Sequence, residues 1–98
     1  MSQANTRKAL GYQQITSLAA ATALTVPKGA TRAVIRCETQ SVRWRDDGTD
    51  PTAAVGMLML AADAPYVYDA FDQAAQALYP IKFIETAASA KLNISYFE

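Results

Sequence analysis

From Arg32 to Glu38 the chain alternates strictly, with Ala33, Ile35 and Cys37 on one side and Arg32, Val34, Arg36 and Glu38 on the other. That pattern predicts a strand with one buried face. Val42 to Arg45 continues the rhythm, Val42 and Trp44 inward and Arg43 and Arg45 outward. Lys91 to Phe97 repeats it, setting Leu92, Ile94 and Tyr96 against Asn93, Ser95 and Phe97, and Ile81 to Glu85 alternates over a shorter span. Tyr12 to Leu18 alternates until Ala19-Ala20-Ala21 breaks the pattern, while Ala23 to Val26 and Tyr66 to Tyr68 read as short strands. Val55 to Leu60 (VGMLML) is almost wholly apolar, which predicts a central strand covered on both faces, with Gly56 marking a bulge or a close backbone approach.

The punctuation between these runs supports the same reading. Val26-Pro27-Lys28-Gly29 is a turn with proline at its second position and glycine at its fourth, and Asp46 to Thr52 (DDGTDPT) is the best-marked loop. Phe71, Ala74, Ala75 and Leu78 fall at helical spacing behind Asp72 as N-cap and before Pro80, predicting one short helix near residues 72–79. Residues 1–11 are polar and aperiodic, the pattern of a flexible N-terminal arm, which leaves 12–98 as a single domain. Seven to eight short strands separated by Pro and Gly turns predict an all-β protein, an antiparallel β-sandwich or jelly roll. An alanine-rich helical bundle is the alternative, and the turn spacing weighs against it.

Composition narrows the chemistry. Ninety-eight residues make one small domain, and twenty of its apolar residues are alanines that bury little area, so association with neighbours is a natural supplement to the core. The absence of histidine removes the usual general base and zinc ligand, and a single cysteine allows no intrachain disulfide. We therefore expect no catalytic residues, no metal and no cofactor. Nine basic and nine acidic side chains cancel, so no nucleic-acid partner is expected. No apolar run is long enough to span a membrane and residues 1–10 lack a secretory signal pattern, which points to synthesis in the cytosol and no membrane partner. Residues 1–45 nevertheless carry a net +6 and residues 46–98 a net −6. Either strands of the two halves interleave so that opposite charges face each other, or the surface is dipolar for stacking onto partners.

Three groups of side chains are candidates for function. Arg32, Arg36, Arg43 and Arg45 would make a guanidinium face for carboxylates of a partner if their strands pair, against the plainer alternative of bonds to Glu38, Asp46, Asp47 or Glu85. Asp46, Asp47 and Asp50 around Gly48 faintly suggest a calcium loop, without an EF-hand's spacing or closing glutamate, and sit too close in sequence for a glycosidase pair. Trp44, Tyr66, Tyr68 and Tyr79 offer aromatic faces for a sugar, although Trp44 reads more naturally as core.

Two blocks, Val26-Pro27-Lys28-Gly29-Ala30-Thr31 and Val42-Arg43-Trp44-Arg45-Asp46-Asp47-Gly48-Thr49-Asp50-Pro51-Thr52, followed by Gly56-Met57, Ile81-Lys82-Phe83-Ile84 and Leu92-Asn93-Ile94-Ser95-Tyr96-Phe97, resemble short β-sandwich proteins encoded in the structural gene modules of tailed bacteriophages and prophages. The resemblance covers most of residues 12–98 and departs between Ala70 and Pro80, where the linker is longer and alanine-rich. It implies a non-enzymatic virion component, a capsid decoration or cement protein on the capsid surface. Its expected partners are the major capsid protein and copies of itself. On that expectation the contact residues are Arg7 and Lys8 in the arm and Arg43, Arg45, Asp46, Asp47 and Asp50 near the loop, with Tyr66 and Tyr68 as further interface candidates. A tail or head-to-tail connector component and a carbohydrate-binding module are the alternatives.

Overall fold

Eight strands form, five of them close to the predicted spans and the first shifted from Tyr12–Leu18 toward the N-terminus: β1 (Ala9–Ile15), β2 (Thr22–Ala23), β3 (Arg32–Glu38), β4 (Val42–Arg45), β5 (Met57–Met59), β6 (Tyr66–Tyr68), β7 (Lys82–Glu85) and β8 (Lys91–Phe97). The computed structural model describes residues 8–69, 71 and 80–98. The helix expected near 72–79, the side chain of Tyr79 and all but the last residues of the expected arm lie outside the described residues.

The strands build two four-stranded antiparallel sheets, ordered β1-β8-β3-β6 and β2-β7-β4-β5. β1 pairs with β8, β2 with β7, β3 with β6 and β4 with β5. The chain is therefore one long antiparallel ribbon, reversed between β4 and β5 and rolled up so that β3 also meets β8 and β4 also meets β7. That winding is a jelly roll, the form of β-sandwich predicted above. Each sheet also alternates a strand from the basic half of the sequence with one from the acidic half. The interleaving places Glu38 opposite Lys91 in the β3–β8 register, and Glu38 also accepts a hydrogen bond from Asn93 at 2.9 Å.

The inward residues are those that the period-two pattern selects. Ala33, Ile35 and Cys37 of β3 lie beside Tyr96, Ile94 and Leu92 of β8, and Trp44 of β4 lies beside Phe83 of β7, all of them buried between the sheets. Cys37 is a core residue, and burial pushes its thiol up from its ordinary pKa.

Four expectations are corrected. The turn after Val26 is displaced by one residue: Ala30 N donates to Pro27 O at 3.1 Å, so Gly29 occupies the third position, where its φ of 89° is the left-handed conformation that glycine adopts without strain. The short strand expected over 23–26 is confined to Thr22–Ala23. The expected arm ends earlier than residue 11, because β1 starts at Ala9 and Glu98 N donates to Lys8 O at 3.0 Å. Finally, β5 is an edge strand with Met57 and Leu58 exposed, and only Met59 reaches the core. A short apolar run looks the same whether the second face is covered by the fold or left open for something else.

Candidate functional site

The expected arginine face does not assemble. β3 and β4 belong to different sheets, so Arg32 and Arg36 point outward from one layer while Arg43 and Arg45 point outward from the other. Arg43 is turned into its own loop, donating from Nε to Ala53 O at 3.1 Å and from Nη1 to Gly56 O at 2.9 Å. It thereby ties the β4–β5 connection to β4. Gly56 permits this, having a φ of 146° and standing so close that a Cβ would lie 3.1 Å from Arg43 Cβ and 3.2 Å from both Pro51 Cβ and Trp44 O. The close backbone approach suggested for Gly56 is present.

The aspartates of the 46–50 loop diverge rather than converge. Asp46 accepts the phenol of Tyr68 at 2.8 Å, Asp47 accepts a two-pronged bond from Arg45 including Nε at 3.0 Å, and Asp50 pairs with Lys82 Nζ at 3.1 Å. The last two bonds answer a local problem, since Arg45 and Lys82 are register neighbours across β4 and β7 and would otherwise set two cations side by side. The guanidinium hydrogen bond holds the Asp47 carboxyl below its ordinary pKa. Each carboxylate thus serves a different internal partner. Lys8 is exposed next to the pairing of the chain ends, and Arg7 lies outside the described residues.

The aromatic candidates pack together rather than forming a flat platform. Tyr68 is buried, edge-on to Trp44 at 6.1 Å and to Phe71 at 5.1 Å, and burial followed by the bond to Asp46 raises its phenol well above the ordinary tyrosine pKa. Trp44 is covered in turn by Tyr66, 5.5 Å away and tilted by 42°. Tyr66 alone of these three is exposed, at 38%. The alternation that puts Tyr66 and Tyr68 on one face is correct; that face looks inward and opens only at its rim.

What the sequence reading missed lies at that rim. Val55, Met57, Leu58, Leu60, Tyr66 and Val67 are exposed by between 38% and 60%. Met57, Leu58 and Tyr66 line one indentation with Trp44, Met59, Asp63 and Ala64, and Val55 and Met57 line an adjoining one of about 270 Å³ with Trp44, Gly56, Arg45, Asp46 and Asp47. Leu60 follows β5, and Val67 of β6, paired with Val34, projects from the outer face of its own sheet, as Leu58, paired with Arg43, does from the other. From Val55 to Ala62 the chain carries no charged residue. Tyr12 is the remaining large exposed apolar residue among those described; it lies on β1, edging the first sheet opposite β6, and its phenol donates to Asn93.

The fold and this flank define a jelly-roll domain with an open apolar side, and no family model, no curated protein and no solved structure matches the chain.

Proposed function

We propose that the chain is a non-enzymatic structural subunit of a tailed-phage particle, a decoration or cement protein that sits on the outer capsid surface and works by adhesion. The observation that carries this reading is the exposed apolar cluster of Val55, Met57, Leu58 and Tyr66 at the β5–β6 rim, bordered by Asp46, Asp47 and Asp63. Exposed apolar clusters rimmed by polar groups are the kind of surface through which small domains associate. The jelly roll agrees with it, being an architecture used in viral capsids, although fold alone does not fix function. Arg43, Arg45, Asp46, Asp47 and Asp50, expected as contact residues, bond within the chain instead, so the reading rests on the apolar rim and not on them. Multiplied over many copies on a symmetric shell, modest contacts of this kind add to strong attachment, and bridging neighbouring capsid subunits opposes their separation. The carbohydrate-binding alternative loses its main support, because Trp44 and Tyr68 are covered.

Quantitative mass spectrometry of purified particles from the encoding phage or strain tests the proposal. The expected result is a copy number approaching that of the major capsid protein. A few copies per particle would move the chain to the neck or tail, and absence from the particle would refute the reading.

A further inference from the structure

The strands that edge the two sheets differ in how much backbone they leave unpaired. β2 has two residues and β5 and β6 three each, whereas β1 has seven, with no proline and no charged residue among them. A long uncharged edge is a template for a further strand. The register of β1 with β8 is irregular between Ala9 and Gly11 and regular from Gly11 to Ile15. Beside Gly11 and Gln13 lies an open cleft of about 410 Å³, lined by residues 10–13, Thr25, Pro27 and Tyr96, none of them charged. It exists because β2 stops at Ala23, so that past this point the chain opposite β1 is the irregular stretch through Thr25 and Pro27.

Two residues shape the cleft. Gly11 stands in register with Tyr96, whose side chain is buried between the sheets, so a side chain at position 11 would also point inward. A Cβ there would meet nothing within 4 Å, and Gly11 is not among the glycines with positive φ. The glycine therefore leaves a space and does not serve a turn. Gln13 forms the inner wall, its Oε1 accepting the Tyr96 hydroxyl at 2.6 Å and the Thr25 N–H at 3.1 Å. Because a backbone N–H only donates, these bonds fix the carboxamide with Nε2 turned away from Thr25, a donor with no protein acceptor among the described residues.

We infer that β1 takes up an extended peptide segment of a partner protein by strand addition over Gly11–Ile15. The backbone of the segment bonds to the unpaired edge. An uncharged apolar side chain opposite Gly11 fills the space beside Leu10, Pro27 and Tyr96, and a hydrogen-bond acceptor two residues away meets Gln13 Nε2. The edge selects a peptide, since its alternating donors and acceptors repeat at a spacing that another strand matches. The cleft selects the side chains, since its lining holds no charge to balance one and a single fixed amide to bond. β1 edges the first sheet opposite β6, away from the apolar rim, so the inference stands or falls independently of the particle reading.

The probe is a blocked heptapeptide of alternating serine and threonine with leucine at its centre, titrated into the isotope-labelled full-length chain. It should shift the amide resonances of Gly11 to Ile15 and of Thr25 with a dissociation constant below about 2 mM, and aspartate in place of the leucine should weaken binding at least about tenfold. Gly11→Val fills the space with a strand-favouring side chain, so it should keep the circular dichroism spectrum and the melting temperature and lose the peptide. A second comparison needs no variant of the protein. Of two peptides N-methylated at alternate amides, the one whose methyl groups face β1 should fail to bind and the other should bind. No shifts at about 5 mM peptide, shifts confined to the β5–β6 rim, unaltered binding by Gly11→Val, or equal binding of the two methylated peptides would overturn the inference.

Discussion

Arg45 and Lys82 show how single residues set the form of the polar loop. The register forces the two cations together, and Asp47 and Asp50 of the following loop neutralise one each. Because the Asp47 pKa is lowered in the folded chain, its contribution to stability is present above the ordinary aspartate range and disappears as the pH falls through the lowered value. A carboxyl-detected nuclear magnetic resonance titration should place the Asp47 midpoint below that of an unpaired aspartate, and Arg45→Ala should raise it. Tyr96 works in the opposite direction. Burial lifts its phenol to about 12 while it donates to Gln13 Oε1 at 2.6 Å, so its stabilising effect is complete below the ordinary tyrosine pKa of about 10 and is lost as the pH rises toward 12. Tyr96→Phe should remove a late step from the tyrosinate absorbance titration; an unchanged curve would contradict this. At Gly56 both the positive φ and the crowding by Arg43, Pro51 and Trp44 oppose a side chain. Gly56→Ala should destabilise the fold by about 1–3 kcal/mol in urea denaturation.

Among the elements, β3, β4, β7 and β8 were legible because each has one wet and one dry face, and two-residue alternation registers that difference. β5 was legible as a strand but not as an edge, since its apolar positions on both faces match a strand buried on both sides. The information was present at the next level up: in a ribbon of eight strands rolled so that the first pairs with the eighth, the fourth and fifth form the closing hairpin, and one of them must edge its sheet. The arginine candidates failed for a related reason. Consecutive strands such as β3 and β4 look as though they pair, but in a jelly roll they lie in opposite sheets. Side-chain bonds such as Arg43 to Gly56 O and Tyr68 to Asp46 depend on contacts that no spacing rule encodes. The contrast between core and edge can be measured. Phe83→Ala, at a fully buried position of β7, should cost about 3–5 kcal/mol in chemical denaturation. Leu58→Lys on the exposed edge, which sets an ammonium beside Arg43 in the register, should cost the single chain no more than about 1 kcal/mol. A cost for Leu58→Lys comparable to that for Phe83→Ala would show that β5 is covered within the chain itself.

At the scale of the whole molecule, the two flanks of the sandwich are unequal. On one, β1 and β2 close with polar side chains: Tyr12 and Gln14 bond to Asn93, and Gln13 accepts bonds from Tyr96 and Thr25 N. On the other, β5 and β6 leave apolar side chains in water around the Trp44–Tyr66 pair. A small alanine-rich domain gains by covering that surface, and repeated copies on a shell would let many such contacts act together. The direct test of an adhesive subunit with this working face is co-sedimentation of the purified chain with particles assembled without it. The wild-type chain and Tyr12→Lys should bind saturably and alike, and Leu58→Lys should bind at least about tenfold more weakly because it places an ammonium in the apolar contact. Equal binding by Leu58→Lys, or no binding by the wild-type chain, would contradict the account.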